Sequence, residues 1–211
     1  MPTLLTLTFF LLAALGLLIV PGPAVLYIIT RSVEQGRRAG FASVLGVELA
    51  GLMHTVAAAL GLSALLLASA LAFSIVKYLG AAYLIYLGLR TLFTREKNIE
   101  VHAEPPRSAS RLFAQGFFVN LLNPKTALFF YAFLPQFVDP TRGAIIEQIL
   151  LFGTLFVLLA FCTDSLYALL GSTIGGLLRR SLLLRRLQRY VTGCIYIVLG
   201  IATATLGSEK K

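Results

Sequence analysis

The chain has 211 residues, 58% hydrophobic and only 13% charged, against roughly 45 to 50% apolar and about 25% charged in an average soluble domain. A soluble fold of this size needs a polar surface that the sequence does not provide, and the apolar residues fall in runs of about 20, enough to cross a bilayer core about 30 Å thick. The net charge of +9 does not point to nucleic acid, because the basic residues form short clusters between apolar runs and no stripe with interleaved aromatics.

In chain order, the N-terminal stretch MPTLLTLTFFLLAALGLLIVPGPA has no basic leader and outruns the ~7 to 15 apolar residues of a secretory signal, so it reads as a retained first span. Apolar runs cover residues 4–29, 42–68, 73–93, 112–137, 145–178 and 187–206. Residues 42–93 are too many for one crossing and predict a tight hairpin with its turn near residues 69–74. Six transmembrane helices follow. The segment TREKNIEVHAEPPRSAS, residues 94–110, is the only long polar stretch, and its charge and Pro-Pro pair suit a flexible linker. It divides the chain into a first three-helix repeat (1–93), a cytoplasmic linker (94–111) and a second three-helix repeat (112–211).

Lysine and arginine in short loops set orientation. Arg31, Arg37 and Arg38 follow the first span; Arg90, Arg95, Lys97, Arg107 and Arg111 follow the third; Arg179, Arg180, Arg185, Arg186 and Arg189 follow the fifth. These 13 share one side, against Arg142, Lys210 and Lys211 on the other. Both termini are therefore expected on the non-cytoplasmic side.

Two correspondences relate the halves. KYLGAAYLIYLGL, from Lys77, aligns without gaps to RYVTGCIYIVLGI, from Arg189, matching a basic residue, Tyr78 with Tyr190, Leu87 with Leu199 and Gly88 with Gly200. The first and fourth spans each contain helix breakers: Pro21, Gly22 and Pro23 in one, Asn123, Pro124 and Lys125 in the other. Proline lacks the amide hydrogen and clashes with the preceding turn. Three helices per half forces the halves to be inverted, so the expected fold is all-α and integral to the membrane, with helices 1 and 4 broken at PGP and NPK. Paired broken helices point to a transporter whose substrate site lies at the repeat interface, where freed amides at the second half-helices can hold a carboxylate. The competing reading is that the prolines are kinks, which membrane helices tolerate.

The motifs PGPAVLYI at residues 21–28, LGV..AGLMHT..A..GLSALL through the second span, KYLGAAYLIYLGLRTL in the third and GFFVNLLNPKTALFFYAFLPQFV at residues 116–138 together resemble the LysE/RhtB family of bacterial amino-acid exporters. The resemblance covers essentially the whole chain. It implies six helices in the bacterial inner membrane and efflux of an amino acid or close derivative driven by the proton motive force. Members export lysine, arginine, homoserine, threonine or leucine, so the substrate stays open.

Ionisable groups inside a span default to functional candidates facing a cavity. Here they are Glu48 and His54 in the second span, Lys77 early in the third, Lys125 at the NPK break and Asp164 midway along the fifth. Substrate contacts are expected at Pro21, Gly22, Pro23, Asn123, Pro124 and Lys125. Lys125 either neutralises a substrate carboxylate or ties helices together by pairing with Glu48 or Asp164. Asp164 has no base within a helical turn, so its partner must come from another helix; it is the favoured proton-coupling carboxylate, with a structural ion pair as the alternative. Glu48 and His54 stand six residues apart, far apart around a helix turning ~100° per residue, so they cannot both face one site. His54 either relays protons or donates a hydrogen bond to a backbone carbonyl. Lys77 and Arg189 are expected to snorkel. The tyrosines are interface anchors or interhelical hydrogen-bonders.

Cys162 and Cys194 lie in apolar spans without metal or redox spacing and read as packing residues. No cysteine occupies the breaks, which argues against thiol redox chemistry. Asp164 is the only aspartate within a span and His54 has no neighbouring histidine, which argues against an intramembrane hydrolase; no metal or cofactor is expected. A GxxxxGK[ST] loop is absent, so this chain alone does not drive transport with ATP. A passive channel or non-transport membrane subunit is the runner-up reading. The expected partners are a small-molecule substrate (an amino acid), protons and the lipid bilayer; a homodimer is compatible with the sequence.

Overall fold

A computed structural model describes residues 2–68, 70–93 and 107–180, with isolated positions after 189. The side chains of residues 62–74, 172–180 and several positions of 76–91, Lys77 and Tyr83 among them, lie outside the described set. So do most of the linker and of the sixth span, and with them most of the match between the third and sixth spans.

Every described element is helical. Helix α1, Leu4–Ile19, starts at Thr3, whose side chain accepts from the Thr6 amide. It stops at Val20, which is extended at φ −80° and ψ 112°, the conformation imposed on a residue before proline. Helix α2, Pro23–Gln35, begins on a proline whose missing amide costs nothing in a first turn. It ends at Gly36, whose φ of 82° suits glycine. The axes of α1 and α2 differ by 52°.

Helices α3, Arg37–Ala68, and α4, Ala70–Phe93, follow. Helix α5, Ala109–Leu121, is capped by Ser108. Helix α6, Pro124–Leu128, is capped by Asn123, whose side-chain oxygen accepts from the Lys125 amide. The chain then widens into a π turn, Phe129–Phe133, in which the Leu134 amide reaches the Phe129 carbonyl, and tightens into a 3-10 turn, Leu134–Phe137. Pro135 offers no amide to the helical ladder and its ring crowds the preceding turn, which accounts for the irregular stretch. The axes of α5 and the Pro124–Phe137 segment differ by 48°. Helix α7, Ile145–Arg180, is the last described element.

Among the described residues, the stretches Arg37–Gly61 of α3 and Ile145–Gly171 of α7 are long and apolar enough to cross a membrane, and each bent pair passes the same test when taken as one span. Helix α3 sits in the middle, packed on α2, α5 and α7. Lipid tails are as apolar as leucine, so contact between helices must come from close backbone approach. Glycines supply it. A Cβ on Gly46 would strike the backbone of Phe113 and Phe117, one on Gly116 the carbonyl of Ser43, and one on Gly153 the side chain of Thr55.

A second core is aromatic. Phe10 of α1 packs at 4.7 Å on Phe152 of α7, and Phe129 of the π turn stacks at 4.1 Å on Phe156. The opposite faces are apolar and exposed, with Leu45, Leu49, Leu52, Met53, Val56 and Leu60 along α3, as a helix bathed in lipid requires. Cys162 and Cys194 are free and exposed too. Cys162 lies two residues from both Ala160 and Asp164, which face inward, and two residues rotate a side chain by about 200°.

Candidate functional site

The two bends face each other. Ending α1 at a proline leaves its last carbonyls without helical partners, a severe cost in a dry interior. Side chains from other helices satisfy them: the Tyr167 hydroxyl of α7 donates to the Ile19 carbonyl at 2.7 Å, and the Lys125 ammonium of α6 donates to the Val20 carbonyl at 2.5 Å. Lys125 can lie there because Gly22 has no side chain; a Cβ at that position would stand 3.0 Å from Lys125 Cδ.

Next to this junction is a cavity of about 40 Å³, lined among others by Gly22, Glu48, Asn123, Lys125, Phe156 and Asp164. That volume admits a few waters, and an amino acid needs the walls to part. Glu48 of α3 and Asp164 of α7 both line it, near enough for their carboxyl groups to influence each other. Both are buried, at 7% and 3% exposure, and neither Glu48 Oε1 nor Asp164 Oδ1 has a hydrogen-bond partner. Lys125 contributes positive charge toward Asp164, but its hydrogen bond goes to the Val20 carbonyl.

Of the residues singled out from sequence, Gly22, Asn123, Lys125, Glu48 and Asp164 line this one cavity, while Pro21, Pro23 and Pro124 shape the backbone beside it. His54 does not line it. Its imidazole stacks on Phe130, with Nε2 at 3.3 Å from the Asn120 carbonyl and Nδ1 at 3.3 Å from the Tyr131 hydroxyl. Of its two readings, the geometry favours the hydrogen bond to a carbonyl.

Sequence reading passed over Asn120, which joins three elements. Its Nδ2 donates to the Val47 carbonyl of α3 at 2.8 Å, and its Oδ1 accepts from Thr126 Oγ1 at 2.7 Å and from Asn123 Nδ2 at 3.4 Å. A signal was present, since an amide inside an apolar span must find partners; attention to charged groups alone missed it. Tyr167 was grouped with the other tyrosines, whereas Tyr78, Tyr86 and Tyr190 are exposed and Tyr167 reaches the α1 terminus.

The sequence profile described as LysE type translocator matches residues 15–207. The chain belongs to the LysE translocator family. Relatives of this LysE family member include the homoserine/homoserine lactone efflux protein of Salmonella typhimurium, 31% identical over 93% of this chain and 94% of that protein. The leucine efflux protein of Salmonella choleraesuis is 28% identical over 94% of each, and an uncharacterised membrane protein of Vibrio cholerae is 29% identical over 93% of this chain and 95% of that one. No solved structure matches the chain. Family and apolar helices together make this LysE translocator an all-helical membrane protein.

Proposed function

We propose that the chain is a secondary exporter of an amino acid or close derivative, coupled to protons and working by alternating access. One observation carries this reading: two oppositely charged types of side chain, Lys125 against Glu48 and Asp164, converge on a cavity beside two bent helix pairs. A zwitterion has the complementary pair of charges. Lys125 keeps ammonium hydrogens beyond the one given to Val20, and these are donors for a carboxylate. The efflux relatives support the substrate class, and homoserine and its lactone share an amino group while differing at the carboxyl end.

In this reading residues 1–93 and 112–211 are inverted repeats joined by the linker, and the halves rock about the cavity. The protein sits in the bacterial inner membrane, its arginine-rich loops in the cytoplasm and both termini outside. The small cavity volume fits an occluded, substrate-free form. On the arginine-rich end, the Tyr27 hydroxyl of α2 donates to the Leu112 carbonyl of α5 at 3.0 Å, and the Arg107 amide donates to Gln35 Oε1 at 2.8 Å. These bonds tie the first half to the second and must open to admit cytoplasmic substrate.

The test is efflux from cells or preloaded proteoliposomes across a panel of labelled amino acids. Saturable exchange of at least one, abolished by a protonophore under net-efflux conditions, is expected. Efflux of every panel member that fails to saturate would support the channel instead.

A further inference from the structure

The polar groups around the cavity are unequally occupied. Lys125 donates to Val20, Asn120 to Val47, and Thr126 and Asn123 to Asn120. Among the described residues, the side-chain atoms of this cavity that are buried without any partner are both acceptors, Glu48 Oε1 and Asp164 Oδ1. Leaving a buried acceptor unsatisfied is costly, more so if it is charged, so a site built this way is completed by something that brings donors. A primary ammonium is compact, positively charged and carries three donors. Leu17, Leu18, Val25 and Val47 with Phe156 make an apolar part of the wall that offers a cation no hydrogen-bond acceptor.

We infer that the Glu48–Asp164 pair binds the α-ammonium group of the exported molecule, and that this ammonium and the coupling proton occupy the pair in turn. The inference rests on the carrier reading above. Two neighbouring carboxyl groups with a single cation, Lys125, to offset their charge hold one proton between them. An arriving ammonium neutralises them, and the bridging proton leaves, so one proton departs for each ammonium bound. At the outer face the exchange reverses: a proton binds the pair and the ammonium is released. Exclusive occupancy couples the fluxes one for one without any separate proton path. Few other titratable groups face the pair among the described residues. Lys125 approaches from α6, and Tyr167 of α7 lies near Asp164 with its hydroxyl on the Ile19 carbonyl. The cavity residues of α1, α2 and α5 are uncharged, and His54 of α3 faces Asn120 and Tyr131.

The experiment uses the purified full-length chain and a panel of the twenty common amino acids with homoserine, each accompanied by its N-acetyl and des-amino derivative. Binding is read by thermal shift and by proton release into weak buffer, and transport by exchange in proteoliposomes. At least one amino acid should bind with release of about one proton, its affinity falling about tenfold per unit decrease in pH where the pair is protonated. Its N-acetyl and des-amino derivatives should bind at least tenfold more weakly. Asp164→Asn and Glu48→Gln, checked for folding by size exclusion, should lose the proton release. Binding that is indifferent to pH, an N-acetyl derivative that matches its parent, or a sodium requirement in place of proton release would overturn the inference while leaving a carrier. Absence of exchange by every panel member would overturn the carrier reading, and this inference with it.

Discussion

Lys125 donates its ammonium hydrogen to the carbonyl of Val20, 105 residues earlier in the chain. The bond joins the second helix bend to the first, and the donor is a residue that also lines the cavity. Lys125→Met keeps the length and removes the charge. Hydrogen bonds to charged groups are worth about 1.5–3 kcal/mol, so exchange should fall about 10- to 100-fold while the protein still inserts and purifies. Transport at wild-type rate in Lys125→Met would remove Lys125 from the site.

Gly22 makes that approach possible. Alanine there brings a Cβ to 3.0 Å from Lys125 Cδ, a contact that a flexible side chain relieves by shifting a few tenths of an ångström. Gly22→Ala should therefore weaken substrate affinity severalfold, and Gly22→Val should abolish exchange; equal affinities across the three proteins would show that the junction does not matter.

Asn120→Ala removes one donor and one acceptor from a dry interface and takes from Thr126 Oγ1 and Asn123 Nδ2 the acceptor they share. At about 1–3 kcal/mol for each unsatisfied group, the unfolding midpoint in detergent should drop by several degrees. Asn120→Asp, which keeps the acceptor but not the donor, should recover only part of the loss. Unchanged midpoints in both variants would contradict the hub geometry.

His54 separates structure from coupling. Its ring is held by Asn120 and Tyr131 outside the cavity, so His54→Gln should lower thermal stability by roughly 1 kcal/mol and leave the pH profile of exchange superimposable on that of the parent. A displaced profile would return His54 to the proton route.

Tyr27→Phe deletes the hydroxyl bond between α2 and α5, worth about 1 kcal/mol. With Cys162 and Cys194 first replaced by serine, a cysteine at cavity-lining Val25 should react severalfold faster with a thiol reagent supplied from the arginine-rich side in the Tyr27→Phe background. Equal rates would mean that this bond is not part of a gate.

How much could be read without coordinates follows from the physics of each feature. Hydrophobic runs are long-range signals, and the limits of α3 and α7 fall within a few residues of the apolar stretches 42–68 and 145–178. Pro21 and Pro124 act on their own backbone, so the sites of the two bends were legible locally. The π and 3-10 turns after Leu128 were not anticipated: Pro135 signals an interruption locally, but whether the helix widens or tightens there depends on how neighbouring helices receive its side chains.

The sequence by itself determined that this chain lives in a membrane, that its helices are interrupted at two defined places, and that Glu48, Lys125 and Asp164 are too costly in lipid to face outward. Those conclusions rest on composition and covalent backbone chemistry. Only the tertiary structure decided which of these groups meet: that Glu48 and Asp164 line one cavity, that Lys125 reaches Val20, and that His54 turns toward Asn120. Such contacts join residues on different helices, and their geometry is set by glycine-mediated crossings such as Gly46 on Phe113. A one-dimensional pattern records that a glycine is present; which backbone it admits is a property of the packed bundle.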